Sequence, residues 1–364
     1  MTRHLYVHLP FCAHRCGYCD FVTVVGRAEQ HAAYVDALLA ELELERALLA
    51  PRLETIFLGG GTPTFTERHA LERLLRALPS AEEVTVEANP ETLSQELARA
   101  LRSLGVDRVS LGVQSFRPHL LEVLERVVQP DTVRRAYYHL RDAGFDNVSF
   151  DLIYGIPGQS TADLYADLAE AAGLGPEHLS CYELEAKPGT RFTHAHGNEL
   201  ERQAESMETY FELVVDELTS AGYRWYETAN FCRAGERDLR SRHNLAYWLG
   251  RDYLGIEIGA VSTIEGRRWR NTPKLPAYVS ALAAGRRPLR ELEPLPLDVR
   301  RRERVMLGLR LDEPLRVDGL GAVLDARALE RLEQLGLVAR GADTLTLTQR
   351  GRMLGGGVTA DLLT

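Results

Sequence analysis

His8-Leu-Pro-Phe-Cys-Ala-His-Arg-Cys-Gly-Tyr-Cys-Asp-Phe21 places Cys12, Cys16 and Cys19 in a C-x3-C-x2-C spacing directly after an apolar run. Three thiolates on one short loop point to a metal site. The spacing lets three sulfurs reach three corners of a 4Fe–4S cubane, which leaves the fourth iron open to another ligand. Two other readings stand beside it: zinc, with His14 or His8 recruited as a further ligand, and a disulfide in an oxidising compartment.

Working outward, 364 residues suffice for two or three units with a large core. A net charge of −9 argues against non-specific binding to a polyanion, so no nucleic-acid partner is expected. No apolar stretch has the length of a membrane span, and the N-terminus lacks the order of a signal peptide. The expected location is cytoplasmic. Cys181 and Cys232 are isolated, so the cysteines form no disulfide framework.

Short β-rich runs alternate with longer amphipathic patterns, as in βα units around a parallel sheet. Six runs stand out: Leu5–His8, Thr55–Leu58, Val84–Glu87, Arg108–Val113, Asn147–Asp151 and His178–Glu183. The fold class is α/β, a partial parallel (β/α)6 barrel over residues 1–222. An aromatic-rich connecting region follows over 223–291, holding all three tryptophans. Residues 292–364 read as a small winged-helix-like α+β domain, two helical patterns and a hairpin turning at Gly341–Asp343. Leu292-Glu-Pro-Leu-Pro-Leu297 reads as the linker before it, because its prolines cannot continue a helix.

In parallel β/α barrels functional groups gather at the carboxyl ends of the strands. Here the first run is followed by the cysteines, the second by Gly59-Gly-Gly-Thr-Pro63, the third by Glu87-Ala-Asn-Pro90, the fourth by Gln114-Ser115 and the fifth by Asp151. Singly, each has a plainer role: a tight turn for the glycines, a helix cap for Thr62, a backbone contact for each of the others. At one mouth, together, they form a ligand site. Tyr154-Gly-Ile-Pro-Gly-Gln159 is either pocket wall or ordinary connection.

Preceded by Tyr6-Val-His-Leu-Pro-Phe11, the cysteine stretch resembles the radical S-adenosylmethionine (SAM) enzymes, in the branch of oxygen-independent coproporphyrinogen III oxidase and the HemW-type haem chaperones. The resemblance implies a 4Fe–4S cluster on Cys12, Cys16 and Cys19. It also implies SAM chelated at the open iron, reductive cleavage to a 5′-deoxyadenosyl radical, and an electron donor such as a flavodoxin or ferredoxin. It further implies SAM contacts from Tyr6, Tyr18, Gly60, Gly61, Thr62, Glu87, Gln114, Arg126 and Asp151, with the backbone of Ala186 near the adenosine in Glu183–Thr190. Two stretches depart from the branch: Leu124-Glu-Arg-Val-Val128 replaces Leu-Gly-Arg-x-His, and Glu257 stands where a glycine is usual.

Within the branch, Arg242-His243-Asn-Leu-Ala-Tyr247-Trp248 matches the H-N-x-x-Y-W word of the chaperones, which implies haem binding by His243, Tyr247 and Trp248. An imidazole can ligate haem iron and aromatic faces can hold a porphyrin, although a histidine beside aromatics is also a common packing residue. Phe21 at the oxidase's fourth-cysteine position, and only eleven residues before Cys12, favour the chaperone. Haem would be its cargo and a haemoprotein its acceptor. The alternatives are coproporphyrinogen III dehydrogenation, converting propionates to vinyls, and a radical SAM methyl transfer.

Overall fold

The computed structural model describes residues 1–187 and 191–363, with Arg191 described by its backbone alone. Pro188, Gly189 and Thr190, the end of the stretch expected near the adenosine, lie outside the described residues. All six expected runs are strands: β1 His4–Leu9, β2 Leu53–Gly60, β3 Ala81–Ala88, β4 Arg108–Gln114, β5 Val148–Tyr154 and β6 His178–Glu183. They pair in parallel in chain order.

Strand parity explains the sheet. One row of side chains, including Leu5, Val7, Ile56, Leu58, Val86, Val109, Leu111, Val148, Phe150 and Leu179, joins the main apolar core with the helices. The alternate row is mostly polar, and its register is continuous: Tyr6 opposite Phe57, Phe57 opposite Thr85, Thr85 opposite Arg108, Ser110 opposite Ser149, and Ser149 opposite His178. Because side chains alternate with period two, a slip of one residue would put the polar row into the helix layer. Helix starts are fixed locally, as where Ser160 and Asp163 form a reciprocal cap on Thr161–Leu174.

The region 223–291 completes this sheet. Strands β7 Tyr223–Glu227 and β8 Asn230–Arg233 add antiparallel beyond β6, and β9 Leu254–Ile256 adds parallel to β1 at the opposite edge. Trp225, Phe231, Ile256, Trp269 and Tyr278 share the main core. Glu41, on the helix His31–Glu45, ties this region down: it accepts hydrogen bonds from the Glu257 amide, Asn271 Nδ2 and the Tyr278 hydroxyl, each at 2.7 Å.

The linker reading needs correction. Arg290–Pro294 is a strand paired antiparallel with Arg267–Asn271, in a three-stranded sheet with Val261–Ile264. Pro294 ends an edge strand, where its missing amide disturbs no ladder. Only Leu295 and Pro296 then precede the helix Leu297–Gly308. This helix, the helix Ala326–Gln334 and a sheet of Leu315–Arg316, Val338–Arg340 and Thr344–Leu347 enclose a separate small core. No helix among the described residues is long and apolar enough to cross a membrane.

Both departures from the family's words lie where a glycine would be at ease. Glu125 has φ 55° and Glu257 φ 110°, backbone that side chains adopt at a penalty. Glu257 is also fully buried, and neither carboxylate oxygen finds a hydrogen-bond partner. Burial pushes its carboxyl well above the usual range, and the nearby Ile258 amide offsets this only in part. A carboxyl raised on folding stabilises most below its unfolded pKa, and that contribution is lost as pH rises. Glu257→Gly removes both penalties. Its stability advantage over the parent should therefore widen by up to about 1.4 kcal/mol per pH unit above roughly pH 4.3. Thermal melts across the weakly acidic to weakly basic range test this; an advantage that shrinks as pH rises would refute it.

Candidate functional site

The expected mouth residues do converge. A cavity of about 420 Å³ lies at the carboxyl ends of the strands and is lined by Cys12, Cys16, Cys19, Tyr18, Gly60, Gly61, Thr62, Glu87, Gln114, Arg126 and Asp151. Thr62 does not cap the short helical turn it precedes. Instead its hydroxyl donates to Cys12 Sγ at 3.6 Å and accepts from Asn89 Nδ2 at 3.1 Å. Glu87 accepts from the Gly60 amide at 3.0 Å, and Asp151 receives Ser110 Oγ on both carboxylate oxygens.

Arg126 reaches this cavity despite its altered neighbours. Glu125 takes the left-handed backbone itself and Val128 packs into the core. The Arg126 guanidinium donates to Asn89 Oδ1 at 3.1 Å, to the Gly112 carbonyl at 3.0 Å and to Cys16 Sγ at 3.8 Å. Its Nε is buried without a partner.

Burial, the charge of Asp151 and, in opposition, the Gly60 amide and Arg108 set Glu87, whose carboxyl is pushed up to about 8. Burial and Asp151 thus favour the protonated carboxyl there. Burial also raises the Cys12 and Cys19 thiols. Thiolates at these positions need compensating positive charge, and Arg126 beside Cys16 supplies some of it. All five cysteines are free thiols, and among the described residues no group of three or more His, Cys, Asp or Glu side chains is drawn together closely enough to hold a single metal ion. Three sulfurs facing one cavity, with an adjacent guanidinium whose Nε lacks a partner, fit a thiolate-held cluster.

Tyr6 and Ala186 are not in the cavity lining. The Tyr6 hydroxyl hydrogen-bonds His8 Nδ1 at 3.0 Å, and Ala186 packs with Tyr18 against a small apolar cluster around Phe192. The Tyr154–Gln159 loop is a connection, closed by the Gln159 side chain accepting from the Gly155 and Ile156 amides. Asn89 and Ser110, which brace Thr62, Arg126 and Asp151, were not singled out by their sequence. Asn89 stands in the quoted strand-end word, but a lone asparagine before proline reads as a turn.

His243 lies elsewhere, 1% exposed and with both ring nitrogens engaged. Thr55 Oγ1 bridges the Nδ1 atoms of His4 and His243 at 2.9 and 2.7 Å, and His243 Nε2 hydrogen-bonds the Tyr247 hydroxyl at 3.0 Å. Its ring stacks on Phe57, and burial drops its pKa to about 3. Iron ligation needs a free ring nitrogen, which this arrangement does not offer. Tyr247 and Trp248 do line a cavity, a second one of about 640 Å³.

The cysteine loop depends on a close approach at Gly61. A Cβ there would sit 2.5 Å from the Pro10 carbonyl carbon and 2.8 Å from the Leu9 oxygen. The Gly61 amide itself donates to Leu9 O at 2.8 Å. Gly61→Ala should therefore lower the melting temperature and reduce the iron taken up on anaerobic reconstitution; unchanged iron content and melting would show that the loop tolerates the displacement.

The model of the radical SAM superfamily matches residues 6–171. The chain is 38% identical over 373 aligned positions to the haem chaperone HemW of Mycobacterium tuberculosis (strain ATCC 25618 / H37Rv), covering 99% of this chain and 94% of the relative. It is 34% identical to the haem chaperone HemW of Bacillus subtilis (strain 168), covering 97% of each. Among solved structures, the radical SAM enzyme coproporphyrinogen III oxidase (HemN) of Escherichia coli superposes with a TM-score of 0.80 at 25% identity, over 98% of this chain and 89% of the other. With the cysteine loop at the mouth of a parallel sheet and near full-length similarity on both sides, the chain belongs to the HemW family of the radical SAM superfamily.

Proposed function

We propose that this protein is a haem chaperone, binding haem and passing it to an acceptor haemoprotein, with a 4Fe–4S cluster on Cys12, Cys16 and Cys19 and SAM in the adjoining cavity. The observation that carries the reading is similarity along the whole chain to proteins named haem chaperones, at 38% identity for the mycobacterial relative. The fold alone does not distinguish it from the oxidase.

When bound and reduced, the cluster supplies the electron that cleaves SAM. The chain's own residues bind and orient. Thr62 and Arg126 direct N–H and O–H groups at two of the three sulfurs, which favours their thiolate form. Glu87 and Asp151 present carboxyls to the ribose or ammonium of SAM, and Arg126 suits the methionine carboxylate. Phe21, an exposed side chain on the same cavity, stands where the oxidase has a fourth cysteine, so no extra thiol enters the site. Tyr247 and Trp248 offer flat faces to the haem, with His243 holding the Tyr247 hydroxyl in place. Free thiols and an oxygen-sensitive cluster suit the reducing cytoplasm, where a flavodoxin or ferredoxin would be the electron donor.

The test is an anaerobic incubation of the reconstituted protein with SAM and a strong reductant, offered haem and coproporphyrinogen III in parallel, followed by pigment chromatography and mass analysis. Stable haem binding with no loss of coproporphyrinogen carboxylates is expected. Stepwise conversion of two propionates to vinyls would overturn the reading in favour of the oxidase, and a substrate-dependent methylated product in favour of methyl transfer. Cys12→Ala should abolish SAM cleavage yet leave haem bound, because the two cavities share no lining residue.

A further inference from the structure

The cavity beside Tyr247 and Trp248 is unusual in its charge. Its volume of about 640 Å³ is that of a small-molecule site. Four arginines line it, Arg251, Arg268, Arg300 and Arg304, against two carboxylates, Asp252 and Glu303, so two positive charges are in excess. Arg268 and Glu303 satisfy each other through two hydrogen bonds of 2.8 Å. Asp252 accepts from the Glu265 amide at 3.0 Å.

Among the described residues, Arg251, Arg300 and Arg304 then have no carboxylate within ion-pair distance, in a chain of net charge −9 whose arginines are widely paired. Arg304 is half-buried, and burial together with the charge of Arg251 pushes its guanidinium below the usual range. Among the described residues its side chain makes one hydrogen bond, a long one to the Trp248 carbonyl at 3.4 Å. Like charges converging on a concave site are stabilised by an anion. Three aromatic rings share the wall with Leu295, Met306 and Leu307: Tyr247 and Tyr253 meet edge to face at 4.6 Å, and Arg310 lies over the Trp248 ring at 4.5 Å. Trp248 Nε1 is buried without a partner.

We propose that Arg251, Arg300 and Arg304 are the carboxylate anchor of this cavity, taking the two propionates of haem while Tyr247, Tyr253 and Trp248 face the macrocycle. This rests on the haem-chaperone reading and adds to it which groups grip the cargo. Two carboxylates match the surplus of two positive charges, and guanidinium forks suit them in pairs. The grip acts at the rim of the porphyrin, so cargo release does not require breaking an iron–histidine bond, consistent with the engaged nitrogens of His243.

The test compares ferric haem with its dimethyl ester, which keeps the iron and the ring but removes both negative charges. Affinities are measured by titration of the reconstituted full chain, following intrinsic fluorescence and the haem absorbance band. The wild type should prefer the diacid by about tenfold or more for each carboxylate held. In the Arg300→Gln, Arg304→Gln double variant the preference should fall to within a few-fold, while binding of the ester hardly changes. The double variant relieves like-charge crowding, so its melting temperature should hold, and the ester comparison on the wild type needs no variant at all. Equal wild-type affinity for diacid and diester would overturn the anchor, as would a diacid preference that survives the double substitution. Either result leaves haem binding itself standing. No saturable binding of ferric haem by the wild type would instead fail the chaperone reading, and the anchor with it.

Discussion

Arg108 is 1% exposed at the base of the polar row of the sheet, and its charge acts on Glu83, Glu87 and Asp151. Burial raises all three carboxyls, and the guanidinium opposes that rise in each. The polar row can only be buried if its charges answer one another, because an isolated buried charge is far more costly than a paired one. His178, close to Arg108, is held neutral by burial and by that same charge, and is bonded to Ser149 and Tyr226. The interior is therefore a network in which carboxyls near the mouth are poised by a cation set deeper.

That arrangement fixes what the mouth can do. Glu87 sits at the crossing of two demands: the Gly60 amide favours its ionised form, while burial and Asp151 favour the proton. A cationic ligand in the cavity would tip the balance toward the carboxylate. Arg126 plays the complementary part on the other side, its Nη2 pinned by Asn89 and the Gly112 carbonyl so that Nη1 faces the Cys16 thiol. Asn89 holds Thr62 and Arg126 in place, and Ser110 holds Asp151.

Much of this was legible in the sequence because short β-rich runs alternating with longer amphipathic helical patterns mark βα units around a parallel sheet. The six runs and the mouth position of the cysteines followed from that alternation, and the cavity brings most of the expected residues together. What escaped was non-local. No pattern in 223–291 tells that Leu254–Ile256 pairs with β1 across some 250 residues, or that Arg290–Pro294 is an edge strand rather than a linker. His243 escaped for the same reason: its partners Thr55 and His4 lie in other strands, and only the fold shows that its nitrogens are taken. The glutamates at 125 and 257 were visible as departures, but not that each would hold a left-handed backbone.

The same strand that builds the mouth also separates it from the aromatic cavity. In β2, Gly60 at the carboxyl end binds Glu87, while Thr55 near the start holds His243 and through it Tyr247. Five residues of extended chain span roughly 17 Å. Side chains close that distance: Tyr6 stacks on Phe57 and Phe57 on His243, and the charge of Glu87 acts on Tyr247, although the two cavities share no lining residue. Cargo and cofactor are joined mechanically, by one rigid strand and the helix Arg242–Trp248 packed on it. Chemistry at the mouth can then bear on the aromatic cavity through the rings of Tyr6, Phe57 and His243 and the strand that carries Phe57.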